Sequence, residues 1–284
     1  MLPKIKVSYY KIIVLVGIIS AFYITIVWHN KKSYYPVHTI ESFVQATDIL
    51  NQIDEHTLVL FDVDDVLITA PDVLARGSQY IPWSFRIRLV LSYPQLLLQS
   101  SIEHVYSLIA DQAPRIVIEP IIKKIITDLH ARNITVLGLT NMMTGSIGVI
   151  PDMPTWRYTM LKNMGILMSD NYPDMQFTTL KSYRKNYPVL YKGILCTNEQ
   201  PKGELLYAFL THFSAQFKHI ILFDDLVHNL QSVGHACKKL DIPCTLFLYT
   251  GAQKVPGSWN TPRALQQVNH LMNEGRWVNS FELQ

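Results

Sequence analysis

The chain reads as an α/β fold, with a mainly parallel sheet lying between helices and interrupted by inserted segments. Three observations predict it. Four short apolar runs each stop abruptly at polar residues: 57–61 before Asp62, 134–139 before Thr140, 219–223 before Asp224, and 245–249 before Thr250. A parallel strand is covered on both faces, so it needs continuous rather than alternating apolar residues. Helical stripes separate the runs, with Ile121, Ile122, Ile125, Ile126 and Leu129 before the second and Leu230, Val233 and Leu240 after the third, which is the alternation of an α/β domain. The polar residues all fall at the carboxyl ends of the runs, the edge at which open α/β sheets bind ligands.

From the N-terminus, residues 1–11 form a basic segment with Lys4, Lys6 and Lys11, and residues 12–28 are 17 residues without a charge. A helix of that length spans roughly 25 Å, the short end for a bilayer core. Tyr9, Tyr10, Trp28, Tyr34 and Tyr35 flank it as an aromatic belt would, and Lys31 and Lys32 follow. The segment is expected to be a transmembrane helix. A cleaved secretory signal is the competing reading, but small residues at the two positions a peptidase reads are missing near its end. The lysine bias, slightly greater before the segment than after it, places the N-terminus inside, so the rest of the chain would be periplasmic or extracytoplasmic. Residues 29–56 are read as a linker ending in a helix over 39–53, where Ile40, Phe43, Val44, Leu50 and Ile53 recur at helical spacing.

The core is expected over 57–251. Between the first and second runs lie about 70 residues, more than one crossover needs, so a helical cap is placed at about 71–113; Tyr80, Trp83, Arg86 and Arg88 are candidates to line a substrate entrance there. A second insertion, about 142–198, is read as a helix near 156–164 and a hairpin. Residues 252–284 are a C-terminal helix and tail, marked by Thr261, Pro262 in its first turn and Gly275 beyond its end.

The chemistry concentrates in residues 57–66, Thr-Leu-Val-Leu-Phe-Asp-Val-Asp-Asp-Val. If the chain stays extended, Asp62 and Asp64 lean to the same side and Asp65 leans away. Two carboxylates in one small space repel unless a cation binds between them or one keeps its proton. A calcium loop is excluded, because Val66 and Leu67 stand where that loop needs a ligand and a glycine. Lys202 opens a helical run after Pro201, an unfavourable place for a cation on the helix dipole unless an anion shares the site.

These segments resemble the motifs of the haloacid dehalogenase (HAD) superfamily of phosphatases and phosphotransferases. Asp62-Val-Asp64-Asp-Val66 is similar to its first motif and Leu137-Gly-Leu-Thr140 to its second; Lys202 before a helix is similar to its third and Asp224-Asp225 to its fourth. The resemblance covers roughly residues 57–250 and implies a Rossmann-like core with a helical cap. It implies Asp62 as a nucleophile that becomes an aspartyl phosphate, Asp64 as general acid and base, Thr140 as a hydrogen bond to a phosphoryl oxygen, and Lys202 as the charge that offsets nucleophile and phosphate. It further implies Mg²⁺ held by Asp62, the main-chain carbonyl of Asp64, Asp225 and waters, with Asp224 and Asn229 as weaker candidates. Many relatives have a glycine where Asp224 stands, and often a further acid where this chain has Asn229. Lys192 is a rival for the third motif, but lies in a strand-like run.

The function expected is therefore a membrane-anchored, Mg²⁺-dependent phosphomonoester hydrolase of a bacterial branch of that superfamily, acting on a phosphorylated small molecule. The alternatives are a catalytically weak binding protein of the same fold presented at the cell envelope, motivated by Asn229 and the large insertions, and a phosphomutase or phosphonate hydrolase. A net charge of +3 and a pI near 8.6 are too mild to point to nucleic acid. Cys196, Cys237 and Cys244 are read as packing residues, with a Cys237–Cys244 bridge left open.

Overall fold

The computed structural model describes residues 35–283. The expected transmembrane helix at 12–28 lies outside them; among the described residues no helix is long and apolar enough to cross a membrane. In chain order the strands are β1 (Val37–Ile40), β2 (Thr57–Phe61), β3 (Ile68–Thr69), β4 (Ile116–Val117), β5 (Thr135–Thr140), β6 (Met175–Gln176), β7 (Val189–Tyr191), β8 (Ile194–Cys196), β9 (His219–Asp224) and β10 (Cys244–Tyr249). The helices are α1 (Thr47–Gln52), α2 (Trp83–Ser92), α3 (Gln99–Gln112), α4 (Ile121–Ala131), α5 (Met153–Asn163), α6 (Lys202–His212), α7 (Val227–Leu240) and α8 (Thr261–Glu274).

Eight strands form one sheet in the order β1-β10-β9-β2-β5-β8-β7-β6. Pairing is parallel from β1 through β8 and antiparallel between β8, β7 and β6. The chain leaves β2 for β5 and β8 on one side and returns to β9 and β10 on the other. The crevice between β2 and β9 is thus a topological switch point, the place where open sheets of this kind bind ligands.

The period of two along each strand divides the buried residues between two cores. Val59, Phe61, Ile221 and Phe223 face one core, where the rings of Phe61, Phe223 and Phe247 stack with centroids 4.9 and 4.7 Å apart. Leu58, Leu60, Ile220 and Leu222 face the other, with Leu205, Leu206 and Phe209 of α6 and Leu230 and Val233 of α7. Asp62 and Asp224 share the parity of this second set, so their side chains turn toward the side covered by α6 and α7.

One element differs from the sequence reading, and two expected ones take on tertiary roles that spacing does not give. Residues Val37–Ile40 are a strand, not the start of a helix; β1 pairs with β10 at the sheet edge, and helical structure begins only after Ser42, whose side chain caps the turn that leads to α1. The expected hairpin of the second insertion is β7–β8, and its strand β8 adds in parallel to β5 and extends the main sheet. The C-terminal helix has the expected bounds, with Gly275 at φ 63° closing it, yet it packs on the cap: Val268, Leu271 and Trp277 share a third core with Phe85 and Leu108. All three cysteines are free and buried.

Candidate functional site

Asp62 follows β2 directly and Asp224 ends β9, its neighbour in the sheet, so the two carboxylates meet at the switch point. Lys202, the first residue of α6, lies between them. Its Nζ is 2.8 Å from Asp62 Oδ2 and 2.6 Å from Asp224 Oδ2, and the lysine is only 1% exposed. The close approach depends on Gly203, where a Cβ would run into the main-chain oxygen of Ser232 in α7. A lysine at a helix start is therefore held by buried anions, as the dipole argument requires.

Each oxygen of the two acids has a partner. Asp62 Oδ1 accepts from the Val63 N–H at 2.7 Å, and Asp224 Oδ1 accepts from the Leu226 N–H and from Asn229 Nδ2, both at 2.9 Å. Asn229, expected beside a metal, thus uses its amide nitrogen to orient Asp224. Asp225 stands next to them; one carboxylate oxygen from each of Asp62, Asp224 and Asp225 lies within 4.8 Å of the others. Three acids here face one lysine. Burial, with the charge of Asp224 added and Lys202 opposing, pushes the Asp62 carboxyl up to about 7. Burial and then repulsion from Asp62 and Asp224 push Asp225 up to about 9. Burial alone would lower Lys202, but Asp224 and Asp62 lift it above its ordinary value. A site with surplus negative charge and oxygen donors of this kind fits a divalent hard cation, which would favour the ionised acids.

Asp64 behaves differently from the sequence expectation. The chain turns tightly after Val63, whose carbonyl accepts from the N–H groups of Leu67 and Ile68, and Asp65 adopts φ 59°. The extended alternation therefore ends, and the carboxylate of Asp64 is not in the acidic cluster. It is bound by Arg157 of α5, whose Nη1 and Nη2 donate to its two oxygens at 2.9 and 2.7 Å. Asp65 is held on the cap side, accepting from Thr69 Oγ1 at 2.6 Å and Gln79 Nε2 at 3.1 Å.

Thr140 ends β5, on the other side of β2, and is buried. Among the described residues no side-chain hydrogen bond joins it to Asp62, Lys202 or Asp224. Lys192 sits in the β7–β8 turn, pairs with Asp170 and Asp174, and is no part of the site. Of the four cap candidates, Tyr80 feels Asp65 and Asp225, and burial foremost raises its hydroxyl to about 12; Arg88 and Trp83 are exposed on α2. Sequence reading missed Arg157, although a signal existed: with Met153 and Leu161 it forms a buried i, i+4, i+8 stripe on α5, and a charge on an apolar stripe needs a partner.

The family pattern described as "Protein of unknown function (DUF2608)" matches residues 39–274. The chain belongs to this family. The match runs from within β1, through the cap, to the end of α8. Among curated relatives, an uncharacterised protein of Rickettsia prowazekii (strain Madrid E) is 24% identical over 261 residues, covering 92% of this chain and 93% of the relative. An uncharacterised protein of Rickettsia bellii (strain RML369-C) is 26% identical over 191 residues, 65% of this chain and 64% of its own. No solved structure matches the chain.

Proposed function

We propose that this DUF2608 protein is a Mg²⁺-dependent phosphomonoester hydrolase that works through an aspartyl phosphate on Asp62. The observation that carries the reading is the convergence of Asp62, Lys202, Asp224 and Asp225 at the β2/β9 switch point, in the order the HAD resemblance implies. Asp62 and Asp225, with the Asp64 main-chain carbonyl, are the residues that would hold Mg²⁺, while Asp224 and Asn229 position Lys202 and the acids. Bound there, Mg²⁺ would supply charge neutralisation for phosphoryl oxygens.

In the first step an Asp62 oxygen attacks phosphorus while the bond to the leaving oxygen breaks, and Asp64 gives that oxygen a proton. Lys202 offsets charge on the nucleophile and the phosphoryl group. In the second step Asp64 takes a proton from water as the water oxygen attacks phosphorus and the bond to Asp62 breaks. Thr140 is the hydroxyl assigned to a phosphoryl oxygen. Both Asp64 oxygens accept from the Arg157 guanidinium, so Asp64 must part from Arg157 to reach the leaving oxygen.

That same ion pair favours a second reading, a binding protein of the same fold with no useful turnover. Phosphate release from an aryl phosphate by the full-length protein, with and without Mg²⁺, separates the two. The hydrolase reading expects metal-dependent release that Asp62→Asn abolishes and Asp64→Asn lowers by about 10²–10⁴-fold, with the far-ultraviolet circular dichroism unchanged. Full activity in either variant would remove the mechanism, and no release from the native chain across a broad substrate panel would favour the binding protein. We propose in addition that residues 12–28, 17 residues without a charge, anchor the chain in a membrane.

A further inference from the structure

Outside the acidic cluster, the Asp64 carboxylate is met by a guanidinium. Arg157 is only 3% exposed, and its Nε is buried with no hydrogen-bond acceptor. A guanidinium has five donors, and leaving one buried and unmet is unfavourable. The carboxylate that satisfies its other edge is itself 55% exposed on its side chain, so the pair can be reached from solvent. A second arginine stands close by. The β3–β4 ladder pairs Thr69 with Ile116, which fixes Arg115, the next residue along, at the point where the cap returns to the core beside the Asp62–Ile68 loop.

Arg115 is half-buried and has no carboxylate partner among the described residues; its hydrogen bond is to the neighbouring Pro114 carbonyl at 3.5 Å. It lies within electrostatic reach of Asp64 and Arg157, as does Tyr106 on α3 of the cap. Burial, with repulsion from Arg157 added, lowers the Arg115 guanidinium, and Asp64 only partly compensates. Two guanidiniums therefore lie near one solvent-facing carboxylate, only Arg157 being hydrogen-bonded to it, two residues along the chain from Asp62.

We propose that Arg115 and Arg157, with Tyr106 as the adjoining wall, are a receptor for a second anionic group on the substrate, a carboxylate or a second phosphate. The proposal rests on the phosphohydrolase reading and names the substrate class: a phosphomonoester with another negative charge a short distance from the scissile group. Guanidiniums bind both groups through paired hydrogen bonds. An incoming anion that takes the Arg157 guanidinium also releases Asp64, so recognition of the second charge frees the acid/base for the leaving oxygen.

The test is binding of non-hydrolysable phosphonates to the full-length protein at fixed free Mg²⁺, followed by titration calorimetry. The probes are 3-phosphonopropionate, propane-1,3-diylbisphosphonate and, as the neutral control of equal reach, 3-phosphonopropionamide. At least one doubly anionic probe should bind about tenfold or more tightly than the amide, as a charge-assisted pair predicts, and Arg115→Gln should bring that ratio close to one. The tighter of the two anionic probes identifies carboxylate or phosphate as the second group. Arg115 is chosen because it is half-buried, whereas replacing buried Arg157 endangers the fold. Equal binding of all three probes, or a preference that survives Arg115→Gln, overturns this inference and leaves the hydrolase reading intact. Failure of every phosphonate to bind, together with no phosphate release, overturns both.

Discussion

At the scale of single residues, the chemistry turns on how the protein manages two buried acids and a half-buried third with one lysine. Asp62 and Asp225 have carboxyl groups raised to about 7 and about 9, against an ordinary value near 4 for an unfolded chain. A raised folded value means that the protonated form suits the fold. Their contribution to stability in the metal-free protein is therefore complete below about pH 4 and is lost as pH climbs through 7 and on toward 9. A cation held by these acids reverses that loss by replacing the protons. The rise in melting temperature on adding MgCl₂ should consequently be larger at pH 8.5 than at pH 6, with proton release on binding detectable in weakly buffered solution. An equal or smaller shift at the higher pH would argue against Asp62 and Asp225 as the ligands. The strand-end positions of these acids were legible from the apolar runs before them, but the division of partners between them was not: Asp224 is saturated by Lys202, Leu226 and Asn229, partners on two helices and a loop that spacing alone does not reveal.

At the scale of elements, strands and helices place the site by parity and by close approach. β2 and β9 are adjacent and in register, Phe61 opposite Phe223, so the residues that follow emerge together. α6 brings Lys202 to them only because Gly203 lets α6 approach the α7 backbone. Gly203→Ala should push the start of α6 outward, lengthen both lysine contacts, and lower phosphate release at least about tenfold, since small displacements of a positioned group are costly. Nearby α6 residues should keep their helicity by hydrogen exchange; unchanged turnover in this variant would show that Lys202 needs no such approach. The helical period was easy to read in α4, where the apolar stripe is clean, while α8 was marked by the residues at its ends. It misled at Thr39 and Ile40, because a four-residue edge strand carries too few positions for its period to compete with the stripe that follows.

Across the whole molecule, the cap is not anchored by its own contacts alone. Phe85 and Leu108 of the cap share a core with Val268 and Leu271 of α8 and with Trp277. Polar ties add to this: Gln267 Nε2 and the Ser280 N–H donate to Asp72 at 2.6 and 2.8 Å, and the Trp277 N–H donates to Gln112 at 2.8 Å. A chain ending at Pro256 should therefore lose protection in the cap while the central strands keep theirs, with hydrogen exchange rising over residues 83–112 and staying slow in β2 and β9. The milder variant Leu271→Ala should cost about 2–5 kcal/mol, the usual range for emptying a buried leucine site. Slow exchange across the cap in the truncated chain would mean that cap and C-terminal helix are independent.

The sequence alone determined the sheet-forming runs, the helices with clean stripes and the residues that stand at strand ends, because these are local: they follow from side-chain period and from which residues tolerate burial on both faces. Tertiary structure decided the partners. The tight turn after Val63 sends Asp64 to Arg157 rather than to Asp62, the β3–β4 ladder brings Arg115 beside it, and α8 closes the cap from nearly the far end of the chain. Charge pairing between residues some 90 positions apart, such as Asp64 and Arg157, depends on distances through space, and no spacing along the chain encodes them.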